Sequence, residues 1–223
     1  MKRPLIVGNW KSNKTSPDVQ SFMASAAEQK DFINQFPGKI VICPPYPYLD
    51  LISSLTKKHG LHISVGAQDV SPFERGAYTG EVAPEQIREF AQFVIIGHTE
   101  RRRYFLESDE LLSKKVLQAT RVGLSVIYCI NDEDTHVPDG VEIFSYEPTW
   151  AIGSGKPDTP EHAAKVISEL KKLHPALASL YGGSVTKDNV LSYISMDSID
   201  GVLLGGASLE FQSFFKLLQA SLG

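Results

Sequence analysis

The chain has 223 residues, 42% of them apolar, with 22 Lys and Arg against 26 Asp and Glu and a formal net charge of −4. This balance excludes a disordered chain, which cannot bury enough apolar surface, and a dedicated polyanion binder, which carries a basic excess. A chain of this size buries roughly 70–75% of its unfolded surface on folding, so it needs neither metal nor disulfide to hold a core.

The opening run Leu5-Ile6-Val7 before Gly8 is too short for a signal-peptide core, and no later run reaches the roughly 18 apolar residues of a membrane span. Short apolar, β-rich runs then recur: 5–10, 40–43, 63–67, 93–97, 125–130, 141–146, 178–181 and 202–204. Between them, apolar residues three and four apart predict helices over 17–36, 47–59, 84–91, 108–121, 160–174, 186–195 and 208–222. Near-continuous apolar strands alternating with helices describe a parallel sheet covered on its outer face. Eight such strands point to an α/β architecture, a closed (β/α)8 barrel of the TIM type over residues 1–223 as one domain; an open doubly wound sheet is the alternative. One crossover departs from the pattern. Only Asn131 to Gly140 separate the fifth strand from the sixth, with Pro138 and four acidic residues among them, so the fifth outer helix is expected to be lost or reduced to a turn. Such a link would leave that part of the wall thinly covered. The two cysteines, Cys43 and Cys129, fall inside apolar runs and form no C-x-x-C pair; they read as reduced core residues and point to a cytoplasmic protein.

In a parallel barrel all strand C-termini meet at one rim, and chemistry is sought there. The first strand ends Gly8-Asn9-Trp10-Lys11, with Asn9 and Lys11 alternating to one side; a solvated lysine and an anion contact are both open. The fourth ends Gly97-His98-Thr99-Glu100, followed by three arginines that read more simply as an ion-paired helix face than as a nucleic-acid site. His98 falls at the start of the next helix, where backbone N–H groups favour a neutral ring able to donate to a carbonyl oxygen. The sixth ends Tyr146-Glu147-Pro148 and runs into Thr149-Trp150-Ala151-Ile152-Gly153-Ser154-Gly155-Lys156. Exposing Trp150 and Ile152 in a permanently open loop is unfavourable, so this stretch reads as a lid that closes over a ligand. It is not a phosphate-binding P-loop, because Trp150 stands at the first Gly position and Pro157 at the last. The last two strands end Gly182-Gly183-Ser184 and Gly205-Gly206-Ala207. Each pair alone could be a tight turn, but two in succession before helices fit a cradle of backbone N–H groups around a phosphate. No G-x-S-x-G turn, zinc spacing or G-x-G-x-x-G fingerprint is found.

With these motifs in their order, the sequence closely resembles the triosephosphate isomerase family over nearly its whole length. Gly76-Ala77-Tyr78-Thr79-Gly80-Glu81 and Leu204-Gly205-Gly206-Ala207-Ser208-Leu209 complete the match. The resemblance implies interconversion of dihydroxyacetone phosphate and D-glyceraldehyde 3-phosphate in glycolysis and gluconeogenesis, with no metal or organic cofactor and no nucleic-acid or membrane partner. It makes Glu147 the base, neutral His98 the group that polarises the carbonyl, Lys11 the offset to developing charge and Asn9 the positioner of an oxygen. Glu100 becomes a further site carboxylate near Lys11. Phosphate falls to backbone N–H groups of Gly153, Ser184, Gly205 and Gly206, and Ile152 and Leu203 to an apolar clamp on Glu147. Thr79 lies in a loop that this family inserts into a second copy, implying a homodimer. A phosphosugar-binding barrel without turnover, acting as a sensor or scaffold, is the competing reading; it would need the glycines but not the base. The sequence departs from the family at Thr99, where Ser is usual, at Thr149, where Val is usual, at Leu106, where Gly is common, and at Asn131-Asp132, where Gly-Glu is common.

Overall fold

A computed structural model describes residues 2–132, 134–152, 155–175 and 177–223. In chain order the elements are β1 (Leu5–Asn9), α1 (Ser16–Glu28), α2 (Lys30–Gln35), β2 (Lys39–Cys43), α3 (Leu49–His59), β3 (Ile63–Ala67), α4 (Pro84–Arg88) and β4 (Phe93–Ile96). They continue with α5 (Thr99–Tyr104), α6 (Asp109–Arg121), β5 (Ser125–Ile130), β6 (Ile143–Tyr146), α7 (Pro160–Leu173), β7 (Ala178–Tyr181), α8 (Val190–Ile194), β8 (Gly201–Leu204) and α9 (Phe211–Ala220). Each strand pairs in parallel with its neighbour in sequence, and β8 closes on β1, so the eight strands form a barrel and the open-sheet alternative falls.

The period of two along each strand divides the core into two layers. Val7, Val41, Ile95, Ile127, Ile143, Leu180 and Leu203 fill the barrel interior with Cys43 and Cys129. Ile6, Ile42, Val94, Val126, Phe144 and Val202 face outward and are covered by α1, α3, α6, α7 and α9. Cys43 and Cys129 are both buried free thiols, and burial pushes both up, Cys129 further because the Glu147 carboxylate lies close by.

Local chemistry sets the helix ends. Ser108 Oγ accepts from the Leu111 N–H at 3.3 Å and Thr159 Oγ1 from that of His162 at 3.2 Å, with Pro160 in the first turn of α7. Gly60 takes φ 61° to end α3. The single helix predicted over 17–36 is two, because the backbone at Gln29 leaves the helical region at ψ 24°. The predicted helix over 186–195 shrinks to the five residues of α8.

Among the described residues, 131–142 contain no helix, and the barrel closes without one. The wall is nevertheless not thin at this point. Val137 and Val141 turn inward from the link and join the outer core, leaving Phe144 fully buried and Tyr146 nearly so. Gly140, at φ 90°, presses the link onto α6 against Thr120.

Closure between β8 and β1 depends on one glycine. A Cβ on Gly201 would stand 2.0 Å from the carbonyl oxygen of Leu5, a backbone atom that cannot rotate away. Gly201→Ala is expected to cost more than the roughly 1–3 kcal/mol of ordinary overpacking. The check is the midpoint of urea unfolding against that of the unsubstituted protein.

Candidate active site

The C-terminal ends of β1, β4, β6, β7 and β8 surround a cavity of about 500 Å³. Asn9, Lys11, His98, Glu147, Ile152, Ser184, Leu203, Gly205 and Gly206 all line it, joining residues as far apart as 9 and 206. Glu100 joins through Lys11, whose Nζ stands 2.6 Å from its Oε1. Gly153 lies outside the described residues.

Lys11 is held in an unusual backbone conformation. Its φ is 52°, in the region that favours glycine. Two contacts hold it there: its N–H donates to Asn9 Oδ1 at 3.0 Å, and Gln68 Nε2 donates to its carbonyl oxygen at 2.9 Å. Such strain persists only where its surroundings over-determine it. Gln68 also donates to Cys43 O at 2.9 Å, so the residue after β3 ties the rim ends of β1 and β2 together. Gln68 is not among the residues expected at the site from the sequence, and its one signal there is a polar residue directly after Ala67 at a strand end.

His98 forms the N-cap of α5, and its Nδ1 accepts from the N–H of Glu100 at 3.2 Å. A nitrogen that accepts carries no proton, so the neutral ring has its hydrogen on Nε2. That nitrogen stands 3.4 Å from Glu147 Oε1 and faces the cavity.

Glu147 is fully buried at the end of β6. Its N–H donates to Ile130 O at 2.8 Å, which fixes the backbone, while Oε2 accepts from the N–H of Thr99 at 3.0 Å and lies 2.9 Å from the Thr99 hydroxyl. Thr99 therefore tethers the carboxylate, and its hydroxyl also lies 2.9 Å from Asn131 Oδ1. Two of the positions where the sequence departs from the family pattern thus meet at one contact.

The stretch read as a lid runs on from Glu147. Trp150 is 56% exposed while Ala151 is buried, its carbonyl oxygen accepting from Ser184 Oγ at 2.7 Å. At the far end, the Asp158 N–H donates to Tyr181 Oη at 2.8 Å and the Tyr193 hydroxyl donates to Asp158 O, with the two tyrosine rings stacked 4.2 Å apart. Ala151 and Asp158 are thus each bound to the β7 side of the rim, while the Trp150 side chain lies in solvent. Trp10, the other tryptophan, is fully buried. Closure over a ligand is expected to shift tryptophan emission to the blue as Trp150 loses water. Titration with inorganic phosphate and with a triose phosphate measures it.

On the phosphate side, Gly205 and Gly206 open a short 3-10 turn whose Ser208 O accepts from Trp10 Nε1 at 3.0 Å, locking the β8 turn to the end of β1. Ser184 takes φ 48°. Among the described residues, no three His, Cys, Asp or Glu side chains are grouped as a metal site requires, and no helix is long and apolar enough to cross a membrane.

The family model for triosephosphate isomerase matches residues 4–142 and 137–221. The chain belongs to the triosephosphate isomerase family. It is 35% identical to the triosephosphate isomerase of Dictyoglomus thermophilum over 257 aligned positions, covering 99% of this chain and 100% of that one. The Natranaerobius thermophilus protein of that name is 36% identical, with 99% and 97% covered, and that of Vibrio cholerae serotype O1 is 34% identical, with 99% and 98% covered. This family membership makes the chain an intramolecular isomerase. Since 257 aligned positions exceed the 223 residues present, at least 34 positions of the Dictyoglomus alignment have no residue here. Among the described residues, the link between β5 and β6 is one crossover of the barrel without a helix.

Proposed function

We propose that Glu147 is the base in the interconversion of D-glyceraldehyde 3-phosphate and dihydroxyacetone phosphate. Its carboxylate takes the proton from the carbon beside the carbonyl, and the electron pair left behind forms the enediolate. Returning that proton to the neighbouring carbon, with a proton passed between the two oxygens, completes the isomerisation; one carbon is reduced as the other is oxidised, and no external reagent enters. The observation that carries this reading is the pairing of a fully buried carboxylate with the Nε2–H of a neutral imidazole, 3.4 Å apart on one cavity. A carboxylate can accept the carbon's proton while the imidazole donates to the oxygen on which charge develops. Lys11 offsets that charge, oriented by Glu100, and Asn9 positions an oxygen.

Phosphate is assigned to the N–H groups of Ser184, Gly205 and Gly206, with Gly153 supplying another from the lid. Ile152 and Leu203 are assigned to the apolar clamp on Glu147. Excluding water on closure protects an enediolate that could otherwise expel phosphate. The complete base, imidazole and lid favour turnover over a sensor that only binds phosphosugar. A coupled assay supplying D-glyceraldehyde 3-phosphate is expected to show formation of dihydroxyacetone phosphate; binding without product would leave the sensor reading.

The chain is further read as one barrel domain that works in the cytoplasm as a homodimer. Thr79 lies on an exposed loop in which Phe73 and Tyr78 stack 4.1 Å apart. Across a groove of about 380 Å³ this loop faces Phe105, which is exposed like its neighbours Tyr104 and Leu106. Large apolar groups gathered at one surface favour association. Light scattering is expected to give twice the 24.6 kDa of one chain; the mass of a single chain at working concentration would refute the dimer.

A further inference from the structure

The inner side of β6 carries Ser145 two residues before Glu147, so both side chains point into the barrel, one below the other. Ser145 is fully buried and its hydroxyl has no hydrogen-bond partner among the described residues. Oε1 of Glu147, also buried, makes no hydrogen bond of full geometry, its nearest side-chain donor being His98 Nε2 at 3.4 Å. The two groups flank a single spot. A Cβ on Gly182 would stand 2.8 Å from Glu147 Cγ, 2.9 Å from Ser145 Oγ and 3.4 Å from Glu147 Oε1, so both side chains pack against the bare backbone of this glycine. The strand neighbours of Ser145 are Cys129 and Leu180. Leu180 offers no polar side-chain atom, and the Cys129 thiol, kept protonated by burial and by the Glu147 carboxylate, spends its weak donor on that carboxylate rather than on Ser145.

A buried donor without an acceptor is unfavourable, and an ionised carboxylate whose partners are long or weak has lone pairs left to accept it; side by side the two are complementary. Thr99 holds Oε2 in the arrangement seen here, so a carboxylate turning toward substrate gives up that tether. We propose that Ser145 is a positioning residue: its hydroxyl donates to the Glu147 carboxylate when the latter leaves Thr99, and aims it at the carbon from which it takes the proton. This rests on Glu147 being the base.

The test compares Ser145→Ala, Ser145→Cys and Glu147→Gln by steady-state kinetics on D-glyceraldehyde 3-phosphate, with and without deuterium at the carbon that loses the proton. Ser145→Ala is expected to lower kcat about tenfold with KM within about twofold of the unsubstituted value, to enlarge the primary isotope effect, and to leave the thermal midpoint unchanged or higher. Ser145→Cys, a residue of similar volume with a weaker donor, falls between the two and carries the same test if the alanine variant does not fold. A kcat and isotope effect equal to those of the unsubstituted protein, or a loss confined to KM, overturns the proposal. Full turnover in Glu147→Gln overturns instead the assignment of the base, and this inference with it.

Discussion

Glu147→Asp is expected to keep the fold and lower kcat roughly 10²-fold, because a catalytic group displaced by about 1 Å can cost that much. The backbone cannot make up the missing methylene. The Glu147 N–H is bound to Ile130 O at 2.8 Å inside the β5–β6 ladder, and Gly182 follows on the other side with its N–H on Tyr146 O at 2.8 Å. Shortening the side chain therefore withdraws the carboxylate both from the cavity and from Thr99. Glu147→Gln, which keeps the length but cannot take a proton, should lose the larger part of the about 10²–10⁴-fold that general base catalysis supplies. If the Asp variant turns over at close to the unsubstituted rate, Glu147 is not the base. Phosphate affinity should hardly change in either variant, since the glycine turns after β7 and β8 are untouched.

Lys115→Met carries the largest expected effect on stability. Lys115 lies on α6 with its side chain 4% exposed, and its Nζ reaches Asp69 Oδ1 at 2.7 Å and Glu107 Oε1. Arg101 completes the group, 2.9 Å from Asp69 and 2.8 Å from Glu107. Two cations thus neutralise two carboxylates beneath the loop that carries Thr79. Removing one partner of a buried ion pair costs about 3–5 kcal/mol, because the other is left uncompensated. Already in the intact network burial holds the Asp69 carboxyl above its ordinary range; Lys115 and Arg101 oppose this and Glu107 adds to it. Without Lys115 the two carboxylates face each other with Arg101 alone, and one of them is pushed toward the protonated state. A carboxyl raised in the folded state loses stability as pH rises, so the deficit of the variant should be fullest above the raised value and shrink as pH falls toward the ordinary carboxylate range. Urea unfolding of both proteins at pH 7 and pH 5 measures this. A deficit below about 1 kcal/mol at pH 7, typical of an exposed pair, would show that the network is not buried in solution.

The order of strands and helices was legible because it rests on local patterns: β-branched apolar runs, three-and-four spacing, and caps such as Ser108 and Thr159. The missing helix after β5 was legible too, since ten residues with a proline leave no room for it. The cover that replaces it was not. Val137 and Val141 carry no signal that they fold back on the wall, because that depends on which surface the link meets. The same holds at the site. Asn9, Lys11, His98 and Glu147 announced themselves as polar groups at strand ends, whereas Thr99 as the tether of Glu147, Gln68 as the brace of Lys11 and Ser145 beneath the carboxylate are defined by partners distant in sequence or by the direction a side chain faces.

Length and composition settled that 223 residues could bury a core, and the alternation of elements allowed a barrel with a shortened outer layer. Local sequence also determined which residues would stand at the rim, since strand ends and glycine turns are encoded within a few residues of each other. Closure was decided by tertiary structure: β8 meets β1 where Gly201 leaves room for Leu5 O, a contact between chain segments almost two hundred residues apart. Tertiary structure also decided the state of the site. The proton position on His98, the strained backbone of Lys11 and the burial of Glu147 follow from distances across the barrel, and hydrogen bonding and desolvation act through space.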